Sequence, residues 1–285
     1  MKCASELVGS LGGRVIAAAV ALAMLSLAGA ERAAMAGHGH DGGALTGCDV
    51  LKTASANLKT ALQTAQAGTN GGLSNQMWGT LVARDGTVCA VAFSGADAGS
   101  QWLLSRVVSA QKANTANGLS VASFALSTAN LFSAVNPGGS LYGLQHSNPV
   151  DTQVAYQGNA KFFGTSHDPM IGNRIGGVNV FGGGLALYDK TKGFIGAVGV
   201  RGDTSCADHN VAWRTRANLG LDFLKTDGVG GVNGTADPDR PDNIIYDITN
   251  VSGFQIGSSK SGFGHAACIP DNGSQTDSTT LPPVQ

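Results

Sequence analysis

The sequence is poor in charge, in aromatic side chains and in cysteine pairs. Charged residues make up 13% and aromatic residues 6% of the 285 positions, and the formal net charge is −1. Partners such as nucleic acid or an acidic membrane require a basic face, which this composition does not supply. There is no CxxC pair, no P-loop, no GxSxG and no GxGxxG opening a helix. These absences exclude zinc ribbons, thioredoxin-like sites and dinucleotide folds.

Long apolar runs are also scarce, apart from one near the amino terminus. Residues 15–27 form a stretch that is apolar except for Ser26, follows a basic start and is short for a membrane span. The pattern predicts a signal peptide over residues 1–36, with cleavage after Ala36 or alternatively after Ala30, and a flexible mature terminus over residues 37–45. An uncleaved anchor is the alternative. We therefore expect an exported protein, periplasmic or extracellular.

Cysteine use agrees with export. Cys3 would leave with the signal peptide, and an even number of four remains. In an oxidising compartment this favours two disulfides, and four cysteines allow three pairings. We expect Cys48–Cys89, joining the first helix to an early strand, and Cys206–Cys268, joining the chain's last part to the core.

Glycine is abundant, at 42 residues, and separates segments with clear periodicity. The hairpin signal Asp85-Gly86 lies between two apolar runs, and helical spacing recurs in four other segments. The predicted helices are 46–67, 100–117, 120–135 and 206–224. The predicted strands are two within 78–93 and three at 177–181, 184–189 and 194–200, with a further possible strand at 243–248 and a disordered last dozen residues. Hairpins dominate this order, so we predict an α+β domain with a five-stranded antiparallel sheet covered by helices.

Three segments together resemble the GlcG/HbpS family of haem-binding proteins. They are KANTA at 112–116, GGSLYGLQ at 138–145, and the run from GGVNV to HNVA at 176–212. The resemblance covers residues 46–225 and implies a profilin-like α-β-α layered domain that forms homo-oligomers. In some members it implies binding of haem or a related tetrapyrrole, and in exported members a role beside an envelope or membrane protein partner.

The sequence departs from the family pattern in three places. An insertion covers about 151–175, and a loop-rich carboxy-terminal extension covers 226–285. The triplet Asp208-His209-Asn210 replaces the acidic pair common at the start of the last helix.

Candidate cofactor residues follow from the chemistry of haem iron, which takes imidazole, thiolate, thioether or oxygen ligands in an apolar slot. No CxxCH occurs, so covalent c-type attachment is excluded. His146, beside Tyr142, lies on a loop and is either an axial ligand or a solvent-facing histidine. His209 lies in the first turn of a helix, where the helix dipole favours a neutral imidazole; it is either a ligand or a histidine held by its neighbours.

The family motif on the second helix adds Lys112 and Thr115. The lysine is suited to a haem propionate and the threonine to an oxygen contact, while ordinary packing and solvation is the alternative for both. Cys206 is a further possible thiolate ligand, although a disulfide accounts for it better.

These observations favour an exported haem- or tetrapyrrole-binding protein acting in haem handling or redox sensing. They favour a binding protein over an enzyme, because no acid–base constellation is evident. The alternatives are a weak haem-dependent peroxidase or haem-degrading enzyme, and a structural or partner-binding protein that has lost the cofactor.

Overall fold

A computed structural model of the chain describes residues 47–249, 257–268 and 272–285. The expected signal peptide, residues 1–36, and the expected flexible terminus, residues 37–45, lie outside the described residues. Within the described ranges, no helix combines the length and the apolar character needed to cross a membrane.

The centre of the domain is an antiparallel sheet of the strands β1 (Trp78–Ala83), β2 (Val88–Phe93), β3 (Gly184–Asp189) and β4 (Gly193–Arg201). Their order in the sheet is β2-β1-β4-β3. Hairpins join β1 to β2, as the Asp85-Gly86 signal predicts, and β3 to β4. In the first, Gly86 takes the turn at a φ of 86°, and the carboxylate of Asp85 accepts a hydrogen bond from the Thr87 amide.

Helices cover both faces of this sheet because its strands are apolar on both sides. The four longer helices are α1 (Lys52–Gln66), α2 (Ser105–Leu119), α3 (Ser205–Asn218) and α4 (Ser274–Thr279). Leu81 and Ala83 point to the face that packs against helices α1 and α3, whereas Val82 points to the face under helix α2. The expected α+β class with an antiparallel, helix-covered sheet is therefore confirmed.

The expected count of five strands is wrong, because residues 177–181 do not pair with the sheet. Gly176 and Gly177 have φ values of 63° and 84°, which turn the chain away from strand geometry. The backbone of this segment bonds to side chains of helix α2 instead. Asn114 donates to the Gly177 carbonyl at 2.8 Å, and the Asn179 amide donates to Thr115 Oγ1 at 2.9 Å.

Three other expected elements differ. Residues 120–135 form no α-helix but hold the two-residue strand Phe124–Ala125 and a 3-10 turn, Thr128–Leu131, in which Ser127 and Asn130 form a reciprocal capping box. Helix α3 ends at Asn218 rather than at 224, and Gly220 at a φ of 64° follows it. Residues 243–248 form no strand; Ile248 makes one isolated bridge.

The last residues of the chain are ordered, against expectation. Leu281 and Val284 are buried in the main core. The Trp213 indole donates to the Pro282 carbonyl at 2.9 Å, and the Gln285 amide donates to the Asp222 carbonyl at 2.9 Å. Two buried apolar side chains thus anchor a segment whose composition is mainly polar.

The insertion packs against the outer edge of β2. The Gly172 amide donates a hydrogen bond to the Val88 carbonyl, and the Val88 amide donates one to the Asn173 carbonyl. The buried pair Arg106–Asp168 ties the insertion to helix α2. The remaining short elements are helices Leu144–Ser147 and Thr152–Ala155, 3-10 turns Cys48–Leu51, Ala98–Ser100 and Ala160–Phe162, and two-residue strands Phe124–Ala125 and Gly230–Gly231, which pair in parallel.

Both expected disulfides occur in the structure. Cys48–Cys89 joins the 3-10 turn before α1 to strand β2, with 5.2 Å between the Cα atoms. Cys206–Cys268 joins the first turn of α3 to the carboxy-terminal segment, with 6.1 Å between the Cα atoms.

Candidate functional site

A buried ionic cluster lies where helix α2, strand β4 and helix α3 meet. Lys112 Nζ donates to Asp208 Oδ2 at 2.8 Å and to the carbonyls of Gly182 and Val200 at 2.6 and 3.2 Å. Arg201 Nη1 donates to the same Asp208 oxygen at 2.8 Å. Lys112 and Asp208 are fully buried. All three ammonium protons are therefore used inside the protein, and none is free for a haem propionate.

The cluster fixes the start of helix α3. Asp208 Oδ1 accepts hydrogen bonds from the amides of Gly202 and Asp203 at 3.0 and 2.9 Å. Burial lowers the pKa of Lys112 to about 8, while the adjacent Asp208 carboxylate acts in the opposite direction. Lys112 is therefore still mainly cationic at neutral pH, and the cluster holds the β4–α3 junction rather than an external ligand.

Thr115 is also committed within the fold. Its hydroxyl donates to the Gln111 carbonyl at 2.8 Å and accepts from the Asn179 amide at 2.9 Å. The side chain therefore attaches residues 177–181 to helix α2, and its oxygen is enclosed by the chain.

His209 is enclosed rather than exposed to a ligand. Its Nε2 atom lies 3.0 Å from Asn243 Oδ1 and 3.2 Å from the Ile244 amide nitrogen. Its Nδ1 atom is buried without a hydrogen-bond partner among the described residues. Burial lowers the pKa of His209 to about 4, so the imidazole is neutral at physiological pH. The expected neutral state is present, but His209 lines none of the cavities described below, and haem would have to unpack residues 243–244 to reach it.

The loop that carries the GGSLYGL motif lines the largest of these cavities. Its volume is about 1020 Å³. One wall is the loop 136–140 with Ser133, and the other is residues 257–259 and 261–263 of the extension. Gly139 is required in this wall, because a Cβ atom there would lie 2.3 Å from the Ala134 carbonyl oxygen.

Tyr142 and His146 follow this loop directly and are exposed. Tyr142 retains 69% of its accessible surface, and His146 lies in the short helix Leu144–Ser147. Neither side chain is enclosed by the fold, so both are available to an external ligand. Of the five expected cofactor residues, Tyr142 and His146 therefore lie on the surface, whereas Lys112, Thr115 and His209 lie in the interior.

Two smaller cavities lie elsewhere. One, of about 530 Å³, runs along β2 and is lined by Lys59, Phe93 and residues 164–166. The other, of about 280 Å³, is lined by polar groups around Asp203 and residues 68–72. None of the three cavities is lined by histidine or tyrosine, and Met77 is the one methionine among their lining residues. Of these three cavities, the one of about 1020 Å³ fits a tetrapyrrole best in size; Tyr142 and His146 do not line it but lie in the segment that follows its wall.

The structure also brings together groups that the sequence did not mark as a unit. Ser205 Oγ lies 2.7 Å from His265 Nε2, beside the Cys206–Cys268 disulfide. These residues are far apart in sequence and carry no spacing motif, so only the close approach of the carboxy-terminal segment to helix α3 reveals them. The Asp208 cluster, by contrast, lies within two of the motifs that carried the resemblance.

Comparison with known proteins bears on this arrangement. The family model described as haem degrading protein HbpS-like matches residues 53–216. The crystal structure of Klebsiella pneumoniae protein ORFY, of the DUF336 family model, is 25% identical, with a TM-score of 0.40, 60% of this chain and 89% of that chain covered. The PduOC:haem complex is 22% identical, with a TM-score of 0.39 and coverage of 58% and 91%. No curated protein matches. Since the family model spans more than half of the sequence, the chain belongs to the HbpS-like family.

Proposed function

We propose that this protein binds haem or a related tetrapyrrole non-covalently in the cavity between loop 136–140 and residues 257–263. The observation that carries the proposal is membership of a family whose model is described as haem degrading protein HbpS-like. The cavity adds support, because its first wall is the loop that carries the family-like motif. Its volume of about 1020 Å³ is at the upper end of the range typical of small-molecule sites.

The walls suit a flat ligand approached mainly by backbone. Gly139 leaves no room for a Cβ atom beside the Ala134 carbonyl, and Gly138, at a φ of 86°, has a conformation that favours glycine, so neither position presents a side chain to the cavity. Phe263 supplies an aromatic face on the opposite wall. Ser133 and Ser259 already donate within the fold, so the hydroxyls proposed to donate to propionates are those of Ser140 and Ser258. Because that wall belongs to the extension, we infer that the extension completes the site.

Iron ligation is assigned to the exposed segment after the loop. His146 offers an imidazole and Tyr142 a phenol, and both are accepted axial ligands of haem iron. His209, Lys112 and Thr115 act as structural residues in this proposal, since each is buried and bonded within the fold. Bound haem would supply a redox-active iron, and the residues of this chain would orient it and limit its contact with water.

The setting of this activity is also part of the proposal. We infer that the protein is exported, since two disulfides persist best in an oxidising compartment. It would act there in haem handling or redox sensing, as a homo-oligomer and in contact with an envelope or membrane protein.

The test is a haem titration of the oxidised mature chain, followed by its absorption spectrum. We expect saturable binding with a shifted Soret band, and a changed or lost band in His146→Ala or Tyr142→Phe. His167→Ala is the matched control, because His167 is another exposed histidine, located in the insertion, and it should leave the spectrum unchanged. His209→Ala should retain the wild-type band. Absence of saturable binding to folded protein would refute the proposal.

The family description favours one second candidate, haem degradation. Haem-loaded protein would then lose its Soret band in the presence of a mild reductant and oxygen, with release of iron. Among the residues that line the largest cavity there is no histidine or carboxylate, which favours simple binding. A Soret band that persists under these conditions would support binding over degradation.

A further inference from the structure

The second disulfide lies next to a histidine at the start of helix α3. The sulfur atoms of Cys206 and Cys268 and one ring nitrogen of His265 all lie within 4.8 Å of one another. In the described part of the chain this is the one group of three histidine, cysteine or acidic side chains that is this close. Two sulfurs and one imidazole nitrogen are a ligand set that proteins use for zinc.

We propose that reduction of the Cys206–Cys268 disulfide creates a zinc site formed by Cys206, Cys268 and His265. Structural and catalytic zinc sites combine cysteine and histidine in this way, with water or a further side chain as the fourth ligand. This site is separate from the proposed haem cavity and does not depend on it, since none of the three residues lines that cavity.

The hydrogen bonds of His265 fix a tautomer that suits ligation through Nε2. His265 Nδ1 lies 2.6 Å from the Ala266 carbonyl oxygen. A carbonyl can only accept, so Nδ1 carries the proton and Nε2 carries the lone pair. Zinc-bound histidines are held in this manner, with the second nitrogen donating to a carbonyl or carboxylate. Nε2 now accepts a hydrogen bond from the Ser205 hydroxyl at 2.7 Å, which zinc would displace.

The protonation state of His265 also suits a metal. The side chain is 3% exposed, and burial lowers its pKa to about 4. At neutral pH the imidazole is therefore unprotonated, and no proton has to be removed from it before a metal binds.

The environment favours thiolates once the disulfide is opened. Cys206 lies in the first turn of the 14-residue helix α3, and its amide donates to Cys268 Sγ at 3.1 Å. The positive end of a helix and an amide donor both lower the pKa of a thiol. The same amide would remain a hydrogen-bond donor to a zinc-bound sulfur, as outer contacts to metal ligands commonly are.

The proposed conversion balances with a dithiol as the reductant. The dithiol transfers two electrons and two protons to the disulfide, which becomes two thiols, while the reductant becomes a disulfide. Binding of Zn²⁺ then releases the two thiol protons to solvent. In the reverse direction, a disulfide oxidant takes two electrons from the two thiolates and two protons from solvent and becomes a dithiol, while the Cys206–Cys268 bond forms again and Zn²⁺ leaves.

Two of the three proposed zinc ligands lie in the carboxy-terminal extension, outside the part of the chain that matches the family. The family match ends at residue 216, whereas His265 and Cys268 lie beyond it, the latter 62 residues after its partner. In the oxidised state the disulfide holds the carboxy-terminal segment to helix α3, and in the reduced state zinc would hold the same two elements. Redox state would thus change metal content while the extension stays attached.

The experiment measures metal binding to the full mature chain before and after reduction with a phosphine, which does not compete through thiols. Zn²⁺ is titrated against a chromogenic chelator, and Co²⁺ serves as a spectroscopic probe. We expect one zinc per reduced chain and none for the oxidised chain. Co²⁺ should give intense visible bands of a tetrahedral site together with a sulfur-to-cobalt charge-transfer band in the near ultraviolet.

Variants separate this site from the other cysteines. Cys48→Ser/Cys89→Ser is the matched control and should retain zinc binding after reduction. Cys206→Ser/Cys268→Ser should lose it, and His265→Ala should weaken it by about tenfold or more, with folding verified by circular dichroism. Equal binding by the oxidised chain, or an affinity that His265→Ala leaves unchanged, would overturn the proposed ligand set. A failure to bind haem would not affect the zinc proposal.

Discussion

The buried ion pair between Arg216 and Asp242 provides the sharpest test of how the extension is attached. Asp242 accepts two hydrogen bonds from the guanidinium, at 2.6 and 3.0 Å, and both side chains are fully buried. Arg216 belongs to helix α3 and Asp242 to the extension. The perturbation is Asp242→Asn, which keeps the shape of the side chain and removes its charge.

The magnitude follows from what the substitution leaves behind. Asp242→Asn leaves the buried Arg216 guanidinium without its carboxylate counter-ion. Removing one partner of a buried pair costs about 3–5 kcal/mol of unfolding free energy. The double variant Arg216→Met/Asp242→Leu removes both charges and should cost less than Asp242→Asn alone.

The assay is urea unfolding at pH 7 with the disulfides intact, analysed by linear extrapolation. Asp239→Asn is the matched control, because Asp239 lies three positions earlier and pairs with Lys225 on the surface, at 2.7 Å. Its unfolding midpoint should stay close to that of the unchanged protein. If Asp242→Asn and Asp239→Asn shifted the midpoint equally, the extension would not pack on helix α3 as described.

Three further predictions concern packing, pH and cross-linking. Gly199→Ala should lower the unfolding free energy by at least about 2 kcal/mol, because its Cβ atom would lie 1.9 Å from a carbonyl oxygen of helix α2; Gly118→Ala on that helix, where a Cβ meets nothing within 4 Å, should not. His209 has a folded pKa of about 4, below its ordinary 6.5. Between these two pH values the unfolded chain therefore binds more protons than the folded chain, and the free energy of unfolding should fall as pH drops from 6.5 to 4. In His209→Asn this fall should be less steep. An equal pH dependence of the urea unfolding free energy in both proteins would contradict the prediction. Cys48→Ser/Cys89→Ser opens a cross-link with a sequence separation of 41 and should cost about 2–4 kcal/mol in the same assay; a loss well below 1 kcal/mol would show that the cross-link constrains the unfolded chain little.

Local sequence patterns determined the elements that depend on near neighbours. The hairpin at Asp85-Gly86 and helices α1 and α2 were predictable, because turn chemistry and side-chain periodicity act over a few residues. The two disulfide pairings were chosen from three possible arrangements of four cysteines. Three motifs in the expected order indicated the family. The signal peptide remains a prediction from composition.

Tertiary structure decided whatever depended on distant partners. Residues 177–181 have the composition of a strand, but two glycines at positive φ and the side chains of helix α2 divert their backbone from the sheet. Lys112 and His209 read as candidate ligands, and burial with specific partners made them interior residues. The sequence marks residue types, but only the fold determines which of them lose contact with water, because burial depends on what packs over a side chain from elsewhere in the chain.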